Sequence, residues 1–160
     1  MDIKIISGYD RADDIRELFS EYTAMLVEGD AAFAGYLEIQ HYDNELEDLK
    51  AKYGEPLGRL FIAYSEGRPA GCIALKPLDT ERCELKRLYV RPEFRGNGLA
   101  KMLMNLILSE ARKAGYKYMY LDTLPFLDTA IQMYKRLGFY EIGRYNDSPL
   151  DSTIYMRKEL

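Results

Sequence analysis

The sequence is short of histidine, cysteine and uninterrupted apolar stretches, and each shortage removes a class of function. His41 is the sole histidine among 160 residues. A histidine-rich metal site is therefore excluded, no metal is expected, and a Ser-His-Asp or Cys-His mechanism would have to rest on that one ring. The two cysteines, Cys72 and Cys83, are expected as free thiols. A hairpin turning at Leu78-Asp79-Thr80-Glu81 places Cys83 opposite Lys76, several residues from Cys72, which suits a reducing compartment. No apolar run approaches a membrane span, and Met1-Asp2-Ile3-Lys4-Ile5-Ile6 is interrupted by charge too soon for a signal peptide. A cytoplasmic protein without membrane attachment is expected. Cations are outnumbered as well, 22 Lys and Arg against 26 Asp and Glu for a net charge of −4. There is no long basic stripe of the kind that nucleic acid requires.

What is present is ordinary for a globular chain, at 48% hydrophobic and 30% charged residues, and is enough to bury a core as one domain over residues 1–160. Ile3 to Ser7 reads as a strand. Ile15, Leu18, Phe19, Tyr22 and Leu26 form a helical stripe capped by Asp10 or Asp13. Residues 28–41 are less periodic and read as a loop with a short helix, and a second helix runs from Tyr42 to Lys52 until Gly54-Glu55-Pro56. Leu60 to Tyr64 and Ala70 to Leu75 form a hairpin about Glu66-Gly67, and Glu84 to Val90 continues the meander. A helix from Gly98 to Ala114 stops at Gly115, and Tyr118 to Leu124 is the next strand. That strand–helix–strand unit is a right-handed crossover joining parallel strands. A last helix ends at Gly138, followed by closing strands at Tyr140 to Tyr145 and Thr153 to Lys158.

The most informative stretch runs from Leu85 to Lys101, where a strand ends in Arg95-Gly96-Asn97-Gly98-Leu99-Ala100-Lys101 and opens a long amphipathic helix. The first N–H groups of a helix have no intrahelical partner and carry partial positive charge, so this turn is an anion site. Five Lys or Arg against two Glu between Glu84 and Lys101 give a local +3. Two familiar phosphate loops fail to match: a dinucleotide fingerprint starting at Gly96 needs glycine where Lys101 stands, and no G-K-[ST] occurs.

Arg95, Gly98 and Ala100, following Val90-Arg91-Pro92, do fit Arg-x-x-Gly-x-Ala, and here the sequence resembles the GNAT superfamily of N-acetyltransferases. In that family this loop holds the pyrophosphate of acetyl-coenzyme A. Ala130-Ile131-Gln132-Met133-Tyr134-Lys135-Arg136-Leu137-Gly138-Phe139 resembles the family's A-I-x-x-Y-x-x-x-G-F helix. The likeness covers about residues 58–159. It implies an α/β fold with a mixed sheet of about six to seven strands, about four helices, and a parallel pair splayed by a β-bulge around the cofactor. It also implies transfer of an acetyl group to a primary amine of a small molecule or peptide. A non-catalytic acyl-coenzyme A sensor is the competing class. Acetyl-coenzyme A and the amine are the expected partners, and a homodimer is left open.

The resemblance also suggests roles. An amine of pKa about 10.4 is neutral in roughly one molecule in two thousand at pH 7, so something must remove its proton. Glu84 stands where several members carry a glutamate base; alternation puts it on one face with Lys86, Leu88 and Val90 if the strand is unbroken. The plainer reading is pairing with a neighbouring cation. Tyr134 stands where members protonate the departing thiolate, although its stripe with Leu127, Ala130, Ile131 and Leu137 equally describes a core tyrosine. Leu88, Tyr89 and Val90 would bind the pantetheine arm through main chain, and Arg95, Gly96, Asn97, Gly98, Leu99, Ala100 and Lys101 the pyrophosphate. Many members carry Asn where this chain has Leu127, so that contact is not carried over. The acceptor is expected between Gly29–His41 and Asn146–Ser152, where Asp30, Glu38, Asp147 and Asp151 favour a cation faintly.

Overall fold

The computed structural model describes residues 2–160. A seven-stranded sheet runs in the order β1-β2-β3-β4-β5-β7-β6, with β1 at Ile3–Ser7, β2 at Arg59–Ser65, β3 at Arg68–Pro77, β4 at Arg82–Val90, β5 at Tyr118–Thr123, β6 at Tyr140–Ile142 and β7 at Ile154–Glu159. Six α-helices accompany it: α1 at Ala12–Gly29, α2 at Phe33–Ile39, α3 at Tyr42–Glu47, α4 at Leu49–Tyr53, α5 at Leu99–Lys113 and α6 at Asp128–Arg136. Among the described residues only the β4–β5 pair is parallel, as the crossover through α5 requires.

Period-two alternation sends the strands' apolar residues to two faces. One face packs Ile73, Leu75, Leu85 and Met119 against Leu103, Met104 and Ile107 of α5. The other packs Leu60, Ile62 and Ala74 against Ile15, Leu18 and Phe19 of α1 and Tyr53 of α4. Cys83 belongs to the first and Cys72 to the second, so the sheet itself separates the two free thiols. Cys83 pairs with Pro77, one residue from the expected Lys76, which instead faces Glu84.

Several local expectations are corrected. Neither Asp10 nor Asp13 caps α1: the helix begins after Arg11 with no side-chain cap, and the Asp13 carboxylate is taken by Arg16 at 3.1 Å. Asp13 and Asp14 still sit in the first turn, where negative charge complements the helix dipole. The single helix expected over 42–52 is two, because Asp48 leaves the helical conformation at φ −141° and ψ 85° and turns its carboxylate onto the Ala51 N–H at 3.2 Å, capping α4. That break, with α2, raises the helix count from about four to six. The 140–145 strand stops at Ile142, and β7 lies between β5 and β6.

Candidate acyl-transfer site

The site is made by a fault in β4. Between Cys72↔Tyr89 and Ala74↔Lys86, β3 advances two residues and β4 three. The extra residue is a β-bulge, with Arg87 at φ +59°. A non-glycine residue in that region is strained by about 1–2 kcal/mol, and here the side chain holds it there. Arg87 Nε and Nη2 donate to the two Glu45 oxygens, both at 2.8 Å, and Nη2 also reaches Gln40 Oε1 at 2.9 Å. Lys52 Nζ completes the cluster on Glu45 at 2.7 Å.

Two consequences follow. The bulge reverses the alternation: Glu84 and Lys86 lie on the helix α2 side, whereas Leu88 and Val90 pack with the α5 core and Tyr89 with the α1 core. The expected common face of Glu84, Lys86, Leu88 and Val90 is therefore broken in the middle. Secondly, β4 and β5 stay paired only over Arg82–Glu84 and Tyr118–Tyr120, and beyond Glu84 they part. The Arg91 N–H bonds to Ala70 O, so by ladder alternation the N–H and C=O of Leu88 and Val90 face the opening.

At the far end of β4 the chain turns through a 3-10 segment at Pro92–Phe94 and enters α5. Gly96 and Gly98 have φ of +84° and +77°, which explains the glycines by backbone conformation. A Cβ at either would meet nothing within 4 Å. No backbone N–H from Gly96 to Lys101 has an acceptor among the described residues; the first such bond is Met102 N–H to Gly98 O. Loop and helix start thus present a row of free donors beside the opened strand. Leu99 contributes only main chain, since its side chain is in the core.

The local +3 is largely committed elsewhere. Arg91 grips Glu21 at 2.7 Å and Glu17 at 2.5 Å on α1, Arg87 is on Glu45, and Lys86 donates to Gln40 Oε1 at 2.9 Å. Arg95 Nε donates to Val90 O at 2.8 Å and ties the loop to β4. Lys101 and Asn97 remain exposed at the loop.

Between the diverging strands and the α1–α2 roof lies a cavity of about 30 Å³, lined by Tyr22, Tyr36, Gln40, Lys86, Asp122 and others. It is room for roughly two waters. Asp122, on β5, was missed by sequence reasoning. It accepts hydrogen bonds from Tyr36 OH and from Asn146 Nδ2 at 2.7 Å, so the expected acceptor walls, Gly29–His41 and Asn146–Ser152, meet over it. Leu150 joins Phe33, Tyr36 and Leu124 in a small apolar cluster behind. Glu84, buried, accepts from Tyr145 OH and has Lys76 Nζ at 3.6 Å and Lys86 Nζ at 3.9 Å. Burial and these carboxylates push the Tyr36 and Tyr145 phenols far above their ordinary range.

Tyr134 sits on α6 with its ring 5.7 Å from Phe139. Burial first, then the nearby Tyr22 and Asp122, raise its phenol well above the usual value. Those two neighbours both line the cavity. Its hydroxyl makes no hydrogen bond among the described residues. Tyr134 belongs to the apolar core.

Residues 12–139 match the model of the acetyltransferase (GNAT) family. An uncharacterized N-acetyltransferase of Schizosaccharomyces pombe is 39% identical over 150 residues, covering 92% of this chain and 88% of that protein. The uncharacterized N-acetyltransferase YjgM of Escherichia coli is 35% identical over 80% of this chain and 73% of its own. Among solved structures, an acetyltransferase from Streptococcus agalactiae superposes with a TM-score of 0.78 at 21% identity, over 99% of this chain and 98% of that one. The PaiA N-acetyltransferase of Thermoplasma acidophilum, solved with coenzyme A, superposes at 0.74 with 18% identity over both full chains.

Proposed function

The chain belongs to the GNAT acetyltransferase family and is an acyltransferase, and from that premise we propose that it moves an acetyl group from acetyl-coenzyme A to a primary amine by direct attack. The observation that carries the choice of donor is the row of unpartnered N–H groups from Gly96 to Lys101 beside the strand edge that the Arg87 bulge frees. A pyrophosphate satisfies those donors, and an amide-bearing arm satisfies Leu88 and the Val90 N–H as an added strand would, the Val90 carbonyl being held by Arg95. Several structural relatives were solved with coenzyme A or its acetyl ester, which supports the same donor.

Acetyl-coenzyme A supplies an activated thioester; the chain must hold it, aim the amine and move two protons. Glu84, at the fork where β4 and β5 part, is the proposed acceptor of the amine proton. Tyr134 is the proposed donor to the departing sulfur. A phenol holds its proton at neutral pH, as an acid requires.

The test is release of coenzyme A thiol, trapped colorimetrically, with acetyl-coenzyme A and a panel of amines. We expect at least one amine to raise release well above the amine-free rate. Tyr134→Phe should lower kcat by about a hundredfold with little change in KM for acetyl-coenzyme A, the signature of a lost transition-state interaction. Release that no amine or cell extract alters, together with tight coenzyme A binding, would support a sensor instead. Unchanged turnover with a lower melting temperature would leave Tyr134 as a core residue.

A further inference from the structure

Gln40, at the end of α2, presents a buried polar atom with nothing to bond. Its Oε1 accepts from two cations, Lys86 Nζ and Arg87 Nη2, both at 2.9 Å. Neither cation can accept, so the amide orientation is fixed by chemistry and Nε2 must point the other way. There it is shut off from solvent with no acceptor in the protein. A buried donor without a partner is rare enough to need a reason.

Lys86 tells the same story. It is only 7% exposed, and its ammonium, with three hydrogens to donate, has one amide oxygen at 2.9 Å and one carboxylate oxygen at 3.9 Å. Gln40 and Lys86 line the same cavity. Backbone strain flanks the pair: Arg87 and His41, the residues next to them in sequence, both have positive φ, a pattern that collects at functional sites. Asp122 lines the cavity too. Tyr36 lies between, its hydroxyl on Asp122 and its ring 6.0 Å from Lys86 Nζ. The cavity thus offers the Gln40 N–H and Lys86 ammonium donors and, beyond the Tyr36 ring, a carboxylate. The acids expected to favour a cation belong elsewhere: Asp147 and Asp151 are exposed, and Asp30 turns back onto the Ala32 N–H at 3.1 Å.

We propose that the acceptor is an amine that also carries a carboxylate, an amino-acid-like molecule whose carboxylate is bound by Gln40 Nε2 and Lys86 Nζ while its amine lies toward Asp122 and Glu84. This rests on the acetyl-transfer reading above and narrows its substrate class. Binding displaces the Tyr36 and Asn146 bridge over Asp122, because the cavity of about 30 Å³ holds only solvent-sized groups until that bridge opens.

The experiment measures thiol release from acetyl-coenzyme A with the full chain and matched acceptors: free amino acids, their carboxamides, and the corresponding decarboxylated amines. We expect kcat/KM for the best amino acid to exceed that for its amide and its decarboxylated amine by at least about tenfold, a transition-state discrimination of about 1.4 kcal/mol. Gln40→Glu keeps an oxygen for Lys86 and Arg87 but replaces the free donor with an acceptor. It should erase that preference while leaving the affinity for coenzyme A, read by calorimetry, within about threefold. Lys86→Met should raise KM for the amino acid by a larger factor than KM for the decarboxylated amine. Equal or better turnover of amines lacking a carboxylate overturns the substrate class and leaves the transferase intact. So does a preference that survives Gln40→Glu. If no acceptor of any kind stimulates release, both readings fall together.

Discussion

Glu84 carries more contacts than a free surface carboxylate and fewer than a sealed ion pair. Tyr145 donates to one oxygen, and two lysine ammoniums stand 3.6 and 3.9 Å from the other. Each lysine distance is long for a hydrogen bond, so the pairing that a plain reading of the sequence anticipates is present but loose. Glu84→Gln keeps an acceptor for Tyr145 and removes the site for a proton. If Glu84 takes the amine's proton, this variant should lose about 10²–10⁴-fold in kcat/KM and lose the low-pH limb of its pH profile. A limb that persists in the variant would assign proton removal to Asp122 or to water. Asp122 and Gln40 themselves could not be read from the sequence: each is an unremarkable polar residue until α2, β4, β5 and the 146–150 loop converge. The only forewarning was the placing of the acceptor between Gly29–His41 and Asn146–Ser152.

At the scale of elements, the Gly96–Lys101 turn can be tested apart from the chemistry. Gly98 has φ +77° and open space at its missing Cβ, so Gly98→Ala tests backbone strain, and Gly98→Val adds bulk in front of the free donors. We expect Gly98→Val to weaken coenzyme A binding by at least tenfold, about 1.4 kcal/mol, with Gly98→Ala in between and both folded by circular dichroism. Equal affinity by calorimetry for all three would remove the loop from the binding site. This element was legible because its signals are local: glycine, helix start and apolar stripe stand in one stretch of chain. The bulge was not legible, since Arg87 looks like any outward strand residue and its reason for turning inward, Glu45, is 42 positions away. Likewise the break at Asp48 overrides a continuous apolar stripe by a side-chain cap that no periodicity announces. The β7 insertion between β5 and β6 is a choice of pairing, which strand propensity does not encode.

For the molecule as a whole, the Glu45 cluster is the bolt between the α2–α4 segment and the sheet. Burial raises the Glu45 carboxyl, but the hydrogen bonds and charges of Arg87 and Lys52 outweigh it and hold it at about 2, below its ordinary 4.5. A folded-state pKa below the unfolded one contributes stability that is complete above about pH 4.5 and drains away as pH falls toward about 2. That contribution is on the order of 3 kcal/mol. Melting temperature should therefore drop steeply between pH 5 and 3. Glu45→Gln should start lower at neutral pH, because Arg87 is left buried without its counter-ion, and should show a flatter slope over the same interval. Parallel slopes would place the acid sensitivity elsewhere.

The bulge has one more consequence, for the kinds of change this chain can absorb over evolutionary time. Because β4 switches faces at Arg87, its two halves obey opposite parity rules, and the strand tolerates substitution far better than a change of length. Losing Arg87 itself would restore uniform alternation with Leu88, Tyr89 and Val90 still on their present faces, and would close the edge that the bulge opens; losing a residue beside a retained bulge would turn the rest of the strand to the wrong faces. A change of length beside the bulge is a frameshift in space: it leaves the reading of the codons downstream intact and inverts which side of the protein every later side chain of the strand addresses.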